Sequence, residues 1–185
     1  MPQPKRFRRR LRDPIHEHRS FHRTESKIAV AGHPIHAMLV TFPIALCVCT
    51  LGADALYWWA GDLFWPRVAL WAAGVGFFMG LLAGAAGTAE LLLVPGIRIR
   101  AASWTHFILA VMLLSVLGLN WGLRLQDPVA AVLPFGFLAS LLATGMTGMT
   151  GWHGGKLVFD YGLGTQAEGP DHGAAPASEM RGDKN

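Results

Sequence analysis

Between Met38 and Leu123 the chain carries only six formally charged residues, Asp54, Asp62, Arg67, Glu90, Arg98 and Arg100. The segments between them are apolar over lengths that matter. A helix rises about 1.5 Å per residue, so about 20 apolar residues cross a hydrocarbon core of about 30 Å. Four segments meet that length, at about 38–60, 68–94, 104–123 and 129–150. In lipid every backbone polar group must be bonded internally, which leaves helices as the form such segments take. The expected fold is therefore all-α, an integral membrane four-helix bundle. Composition agrees: 52% of residues are hydrophobic and 15% charged, against about a quarter charged in a soluble domain.

Local signals mark the ends of the spans. Pro34 suits an opening helical turn, where its missing amide hydrogen is not needed. Pro43 lies near the start of the first span and is placed to bend it. Tyr57, Trp58 and Trp59 close that span with aromatic rings that favour the headgroup boundary. Pro66 and Pro95 bracket the second, Ser103 introduces the third, and Asp127-Pro128 opens the fourth.

Residues 1–31 form a basic arm, and 1–27 hold nine Lys/Arg against Asp13, Glu17 and Glu25, a balance of +6. Such an arm beside a membrane segment suggests anionic lipid headgroups, and no recognition fold accompanies it that would favour nucleic acid. It is expected to be flexible, with His16, His18 and His22 solvated. It does not read as a cleaved leader, because the apolar segment behind it is too long. Residues 32–164 form the four-span domain and 165–185 a Gly/Ala/Pro-rich tail expected to be disordered.

Lys and Arg also set the expected orientation. The arm and the Arg98/Arg100 loop lie on one side and only Arg67 and Arg124 on the other, so both termini are expected in the cytoplasm, at a bacterial inner membrane. Cys47 and Cys49, two apart on a helix, point to different faces and read as packing residues rather than a disulfide. Gly76, Gly80, Gly84 and Gly87 line the second span, and Gly145, Gly148 and Gly151 the fourth. Small residues at such spacings let helices approach closely, within the bundle or across a homodimer face.

Topology gathers ionisable groups at the arm's end of the bundle. His33 and His36 stand at the entrance of the first span, Glu90 near the exit of the second, His106 one turn into the third, and His153 just past the fourth. Ionisable groups at membrane depth are costly and ordinarily face a partner or a cavity. Three chemistries suit this set. His36 and His106, with His33 and His153 as substitutes or supports, could ligate haem b through its iron. His36, His106 and Glu90 could hold another metal ion. The same groups could carry protons, or simply pair with neighbouring backbone and with Arg98 or Arg100. At the opposite end Asp54 is expected to pair with Arg67. No phosphate-binding loop, nucleophile elbow or His-Glu-x-x-His helix is present.

Gly32-His33-Pro34-Ile35-His36 with Phe42-Pro43, His106 early in the third span, and Gly154-Gly155-Lys156-Leu157-Val158-Phe159 resemble the bacterial small membrane proteins catalogued as domain of unknown function 2231. The resemblance spans about Gly32 to Gly164. It implies four spans and lends weight to His33, His36 and His106, but it supplies no activity and no haem. Ala37 replaces a frequent proline and Tyr161 a frequent histidine, while His153 stands where an apolar residue is usual. The functional expectation is a redox-associated membrane protein binding haem b or another metal. The alternative is a non-catalytic structural or assembly subunit packed against a larger membrane complex.

Overall fold

A computed structural model describes residues 26–163. The expectations for most of the basic arm, including His16, His18 and His22, and for the tail at 165–185 fall outside these residues. The described chain begins with a small hairpin, β1 (Ala29–Val30) against β2 (His33–Pro34), antiparallel. Six helices follow: α1 (Ile35–Leu39), α2 (Thr41–Ala60), α3 (Phe64–Leu93), α4 (Pro95–Arg98), α5 (Ala101–Gln126) and α6 (Phe137–Phe159). A wide π-type turn, Val132–Gly136, leads into α6.

Four of these stretches are long and apolar enough to cross a membrane: Ile35–Ala60, Phe64–Leu93, Ala101–Gln126 and Val132–Phe159. They are the four expected spans, with ends set by local chemistry. The first starts earlier than expected, and its hydrogen-bond ladder breaks at Val40. Pro43 has no amide hydrogen to give Leu39, which accounts for the break. Its far end closes at Gly61, whose φ of +69° is left-handed and whose amide bonds Tyr57 O at 2.8 Å. A side chain there would be strained, so glycine is the natural stop.

The second span begins two residues before Pro66, because a proline in the first helical turn leaves no bond unmade. It ends at Leu93, where Val94 turns extended (φ −109°, ψ 101°) ahead of Pro95. The third is capped by Arg100 rather than entered at Ser103 and runs on to Gln126. In the fourth, Asp127 Oδ1 accepts the amides of Val129 and Ala130 at 2.9 and 3.0 Å and holds them in a turn. Leu133 is extended ahead of Pro134, and regular helix starts only at Phe137. The helix then continues through Gly151, Gly154 and Gly155 to Phe159, so His153 lies inside it rather than beyond its end.

The spans form a ring in chain order: the first packs on the second, the second on the third, the third on the fourth, and the fourth closes on the first. The interior is small and partly polar. Cys47, Leu117 and Ala143 meet at mid-depth, flanked by Phe77, Leu113 and Leu114. The outside carries the bulk, with Trp71, Phe78, Leu82, Ile108, Met112, Leu119 and Leu138 all exposed. A surface this apolar suits lipid, not water.

The second-span glycines do face neighbours, with Gly76 against Leu46, Gly80 against Leu114 and Pro43, and Gly84 against Leu114. Gly145, Gly148 and Gly151 face open space instead. The fourth span turns Ser140, Ala143, Thr147 and Thr150 inward. At the end bearing the termini, Leu91, Val94 and Ile97 cluster with Phe107 and Leu163, and Arg100 donates to Tyr161 O at 3.2 Å. The chain leaving the last span is thereby tied to the loop between the second and third.

Candidate functional site at the histidine end

His36 leaves the first span to lie on the second. Its Nδ1–H donates to Ala83 O at 2.8 Å, and its ring rests on Gly87, where any Cβ would stand 2.8 Å from that nitrogen. His106 repeats the arrangement on the other pair of helices. It leaves the third span to lie on the fourth, donating Nδ1–H to Thr150 O at 3.0 Å. Its ring rests on Gly154, where a Cβ would stand 3.0 Å from Cε1. The two glycines thus provide the flat ground each imidazole needs.

The rings meet across the bundle with centroids 6.1 Å apart and planes at 89°. Because a carbonyl only accepts, Nδ1 must hold the hydrogen in both rings. In the neutral imidazole that leaves the lone pair on Nε2. Both rings are half-buried. Two buried hydroxyls on the helices that hold His106, Ser103 Oγ and Thr150 Oγ1, have no hydrogen-bond partner among the described residues. Buried polar atoms of this kind ordinarily have a partner, often a water.

The other expected members are spread around the pair. His153 is half-buried on the fourth span, and both it and His36 lie within electrostatic reach of His106. His33 is exposed on the hairpin, its Nδ1–H turned to Ala31 O at 2.9 Å. Glu90 accepts a hydrogen bond from the Ser26 hydroxyl. Among the described residues no three His, Cys, Asp or Glu side chains converge to hold a metal ion. The structure thus joins His36 and His106 without bringing Glu90 into a three-ligand set.

A second polar centre lies at the far end of the bundle, and it corrects the expected pairing of Asp54. The partner is Arg124, not Arg67. Arg124 gives Nη1 and Nη2 to the two Asp54 oxygens at 2.8 and 2.7 Å, and both side chains are 0% exposed. Ser140 Oγ donates to Asp54 Oδ2 at 2.6 Å, and Asn120 Oδ1 accepts Arg124 Nε at 3.1 Å. Asn120 Nδ2 donates to Ser140 Oγ at 2.9 Å. A Cβ on Gly136 would come within 2.9 Å of Arg124 Nη2, so a glycine lets the wide turn pass the guanidinium. With donors and acceptors matched this closely, the network joins the first, third and fourth spans as a buried staple. The sequence signal was the four-residue spacing of Asn120 and Arg124, which puts both on one helical face.

A family model described as "Predicted membrane protein (DUF2231)" matches residues 32–167. The chain belongs to that family. The matched stretch contains all four spans, both histidines of the pair, and the Asp54–Arg124 staple. As a DUF2231 member the chain is a multi-pass membrane protein. No curated protein and no solved structure matches the chain.

Proposed function

We propose that the His36–His106 pair is a ligand site for a redox metal centre, with haem b as its occupant, and that the protein serves in membrane electron transfer. The observation that carries this reading is the pair's geometry: two imidazoles from opposite spans, centroids 6.1 Å apart, with each Nδ1–H spent on a carbonyl. A ligating histidine ordinarily donates its other ring N–H in this way, which fixes the tautomer and raises the basicity of the ligand nitrogen. In each ring Nε2 is the nitrogen that would hold the iron, since Nδ1 is taken by a carbonyl.

Haem suits this donor set better than a bare ion. A protein site for zinc supplies at least three ligands, whereas haem carries most of its iron's ligands itself and would need only the two histidines. When bound it would supply one-electron chemistry. His36 and His106 would hold the iron, with Gly87 and Gly154 giving the rings room. His153 and the hydroxyls of Ser103 and Thr150 would tune the surroundings, and His33 and Glu90 would lie at the rim. The Lys/Arg distribution supports a cytoplasmic placement of this end of the bundle at a bacterial inner membrane, where the basic arm would meet anionic headgroups.

The open face at Gly145, Gly148 and Gly151 favours a second reading, in which the chain is a structural or assembly subunit. A helix of a larger complex, or of a second copy, would then pack there. Haem and metal content per chain, measured on detergent-purified protein from cells supplied with haem and iron, separates the two. About one haem per chain, lost in His36→Ala, supports the redox site. No haem and no stoichiometric metal removes it and leaves the subunit reading.

A further inference from the structure

With Asp54 committed to Arg124, Arg67 is left without an ion-pair partner among the described residues. It is exposed near the start of α3, at the end of the bundle opposite the histidines. It also lines the mouth of a groove of about 580 Å³ between the first and second spans. Below it the groove walls are apolar: Val68, Trp71 and Val75 from α3, with Leu46 and Cys49 from α2. From Arg67 to Val75 is eight residues of helix, roughly 12 Å of depth at about 1.5 Å per residue. Arg67 therefore stands at one end of an open apolar groove that runs along the helices toward the middle of the second span.

We propose that this groove binds one anionic phospholipid from the leaflet away from the termini, with its phosphate on Arg67 and an acyl chain along Val68, Trp71 and Val75. Charge complementarity selects the occupant. Arg pairs with phosphate through a planar fork of donors, and a net-anionic lipid lacks the ammonium that partly neutralises the phosphate of a zwitterionic one. Below Arg67 the apolar walls suit a hydrocarbon tail. This site is independent of the histidine pair and of the haem reading.

Cys49 provides a local reporter, since it is exposed in the groove while Cys47, the other cysteine, is buried. A trifluoroethylthio tag on Cys49 can be read by fluorine NMR in phosphatidylcholine nanodiscs. Phosphatidylglycerol or phosphatidylcholine carrying a doxyl group on its acyl chain is then added in steps. Half-maximal broadening is expected at about fivefold lower mole fraction of the phosphatidylglycerol probe, the preference one surface cation contributes. Arg67→Gln should merge the two curves, and Arg98→Gln at the other end should leave them apart. Identical curves for both probes in the unsubstituted protein, or a preference that survives Arg67→Gln, would overturn the proposal.

Discussion

Arg124 grips Asp54 through two parallel hydrogen bonds of 2.8 and 2.7 Å, with neither side chain exposed to any degree. Removing one partner of such a pair leaves a buried charge uncompensated, at a cost of about 3–5 kcal/mol. Arg124→Leu or Asp54→Leu should therefore lower stability by an amount in that range in an SDS titration of the mixed-micelle protein. The double substitution Asp54→Leu/Arg124→Leu should cost less than the two singles added together. Arg67→Leu should shift the curve by less than about 0.5 kcal/mol, as a surface change does. Equal losses for Arg67 and Arg124 would return Asp54 to the pairing expected from sequence.

Gly87 and Gly154 make a paired prediction. A methyl on Gly87 would press within 2.8 Å of His36 Nδ1, and one on Gly154 within 3.0 Å of His106 Cε1. Gly87→Ala should push the His36 ring off Ala83 O and cost about 1–3 kcal/mol, as overpacking does. Gly154→Ala should cost less, since its contact is the looser. Gly148→Ala, with nothing within 4 Å, should be neutral for the single chain. Any loss at Gly148 that grows with protein concentration would reveal a partner helix on that face.

The orientation proposed from the Lys/Arg distribution can be read directly. With Cys47 and Cys49 replaced by Ser, single cysteines introduced at Arg98 and Gln126 occupy exposed positions at opposite ends of the bundle. In intact bacteria expressing the protein, a membrane-impermeant maleimide should label Gln126→Cys at once and Arg98→Cys only after permeabilisation. The reverse pattern would put the histidine end outside and contradict the Lys/Arg count.

The spans were legible because nothing but a helix satisfies some 20 consecutive apolar residues in lipid. Their exact ends were not. In the sequence Pro66 reads as a boundary although a first-turn proline costs nothing, and Gly154-Gly155 masks the continuation of the fourth helix. Facing was legible only in part. In a bundle whose lipid side and core are both apolar, periodicity no longer tells inside from outside. Thus Gly76, Gly80 and Gly84 turned out to pack inward while Gly145, Gly148 and Gly151 point away.

His36 and His106 could be placed together from topology alone, because each lies within a turn of the same end. Their carbonyl partners, Ala83 and Thr150, depend on helix rotation, which the sequence does not encode locally. Arg124 was missed as the Asp54 partner for a related reason. At the edge of an apolar run it looked like a flanking charge, whereas the helix extends to Gln126 and carries it inside.

Whether His36 and His106, each with its Nδ1–H on a carbonyl, hold a haem iron is read from a reduced-minus-oxidised absorption spectrum of the purified protein. Dithionite reduction should give a sharp Soret band and a distinct α band, both abolished by His36→Ala and by His106→Ala, with Arg67→Gln unchanged. A featureless spectrum from haem-replete cells, or bands that persist in both histidine variants, would contradict haem ligation by this pair.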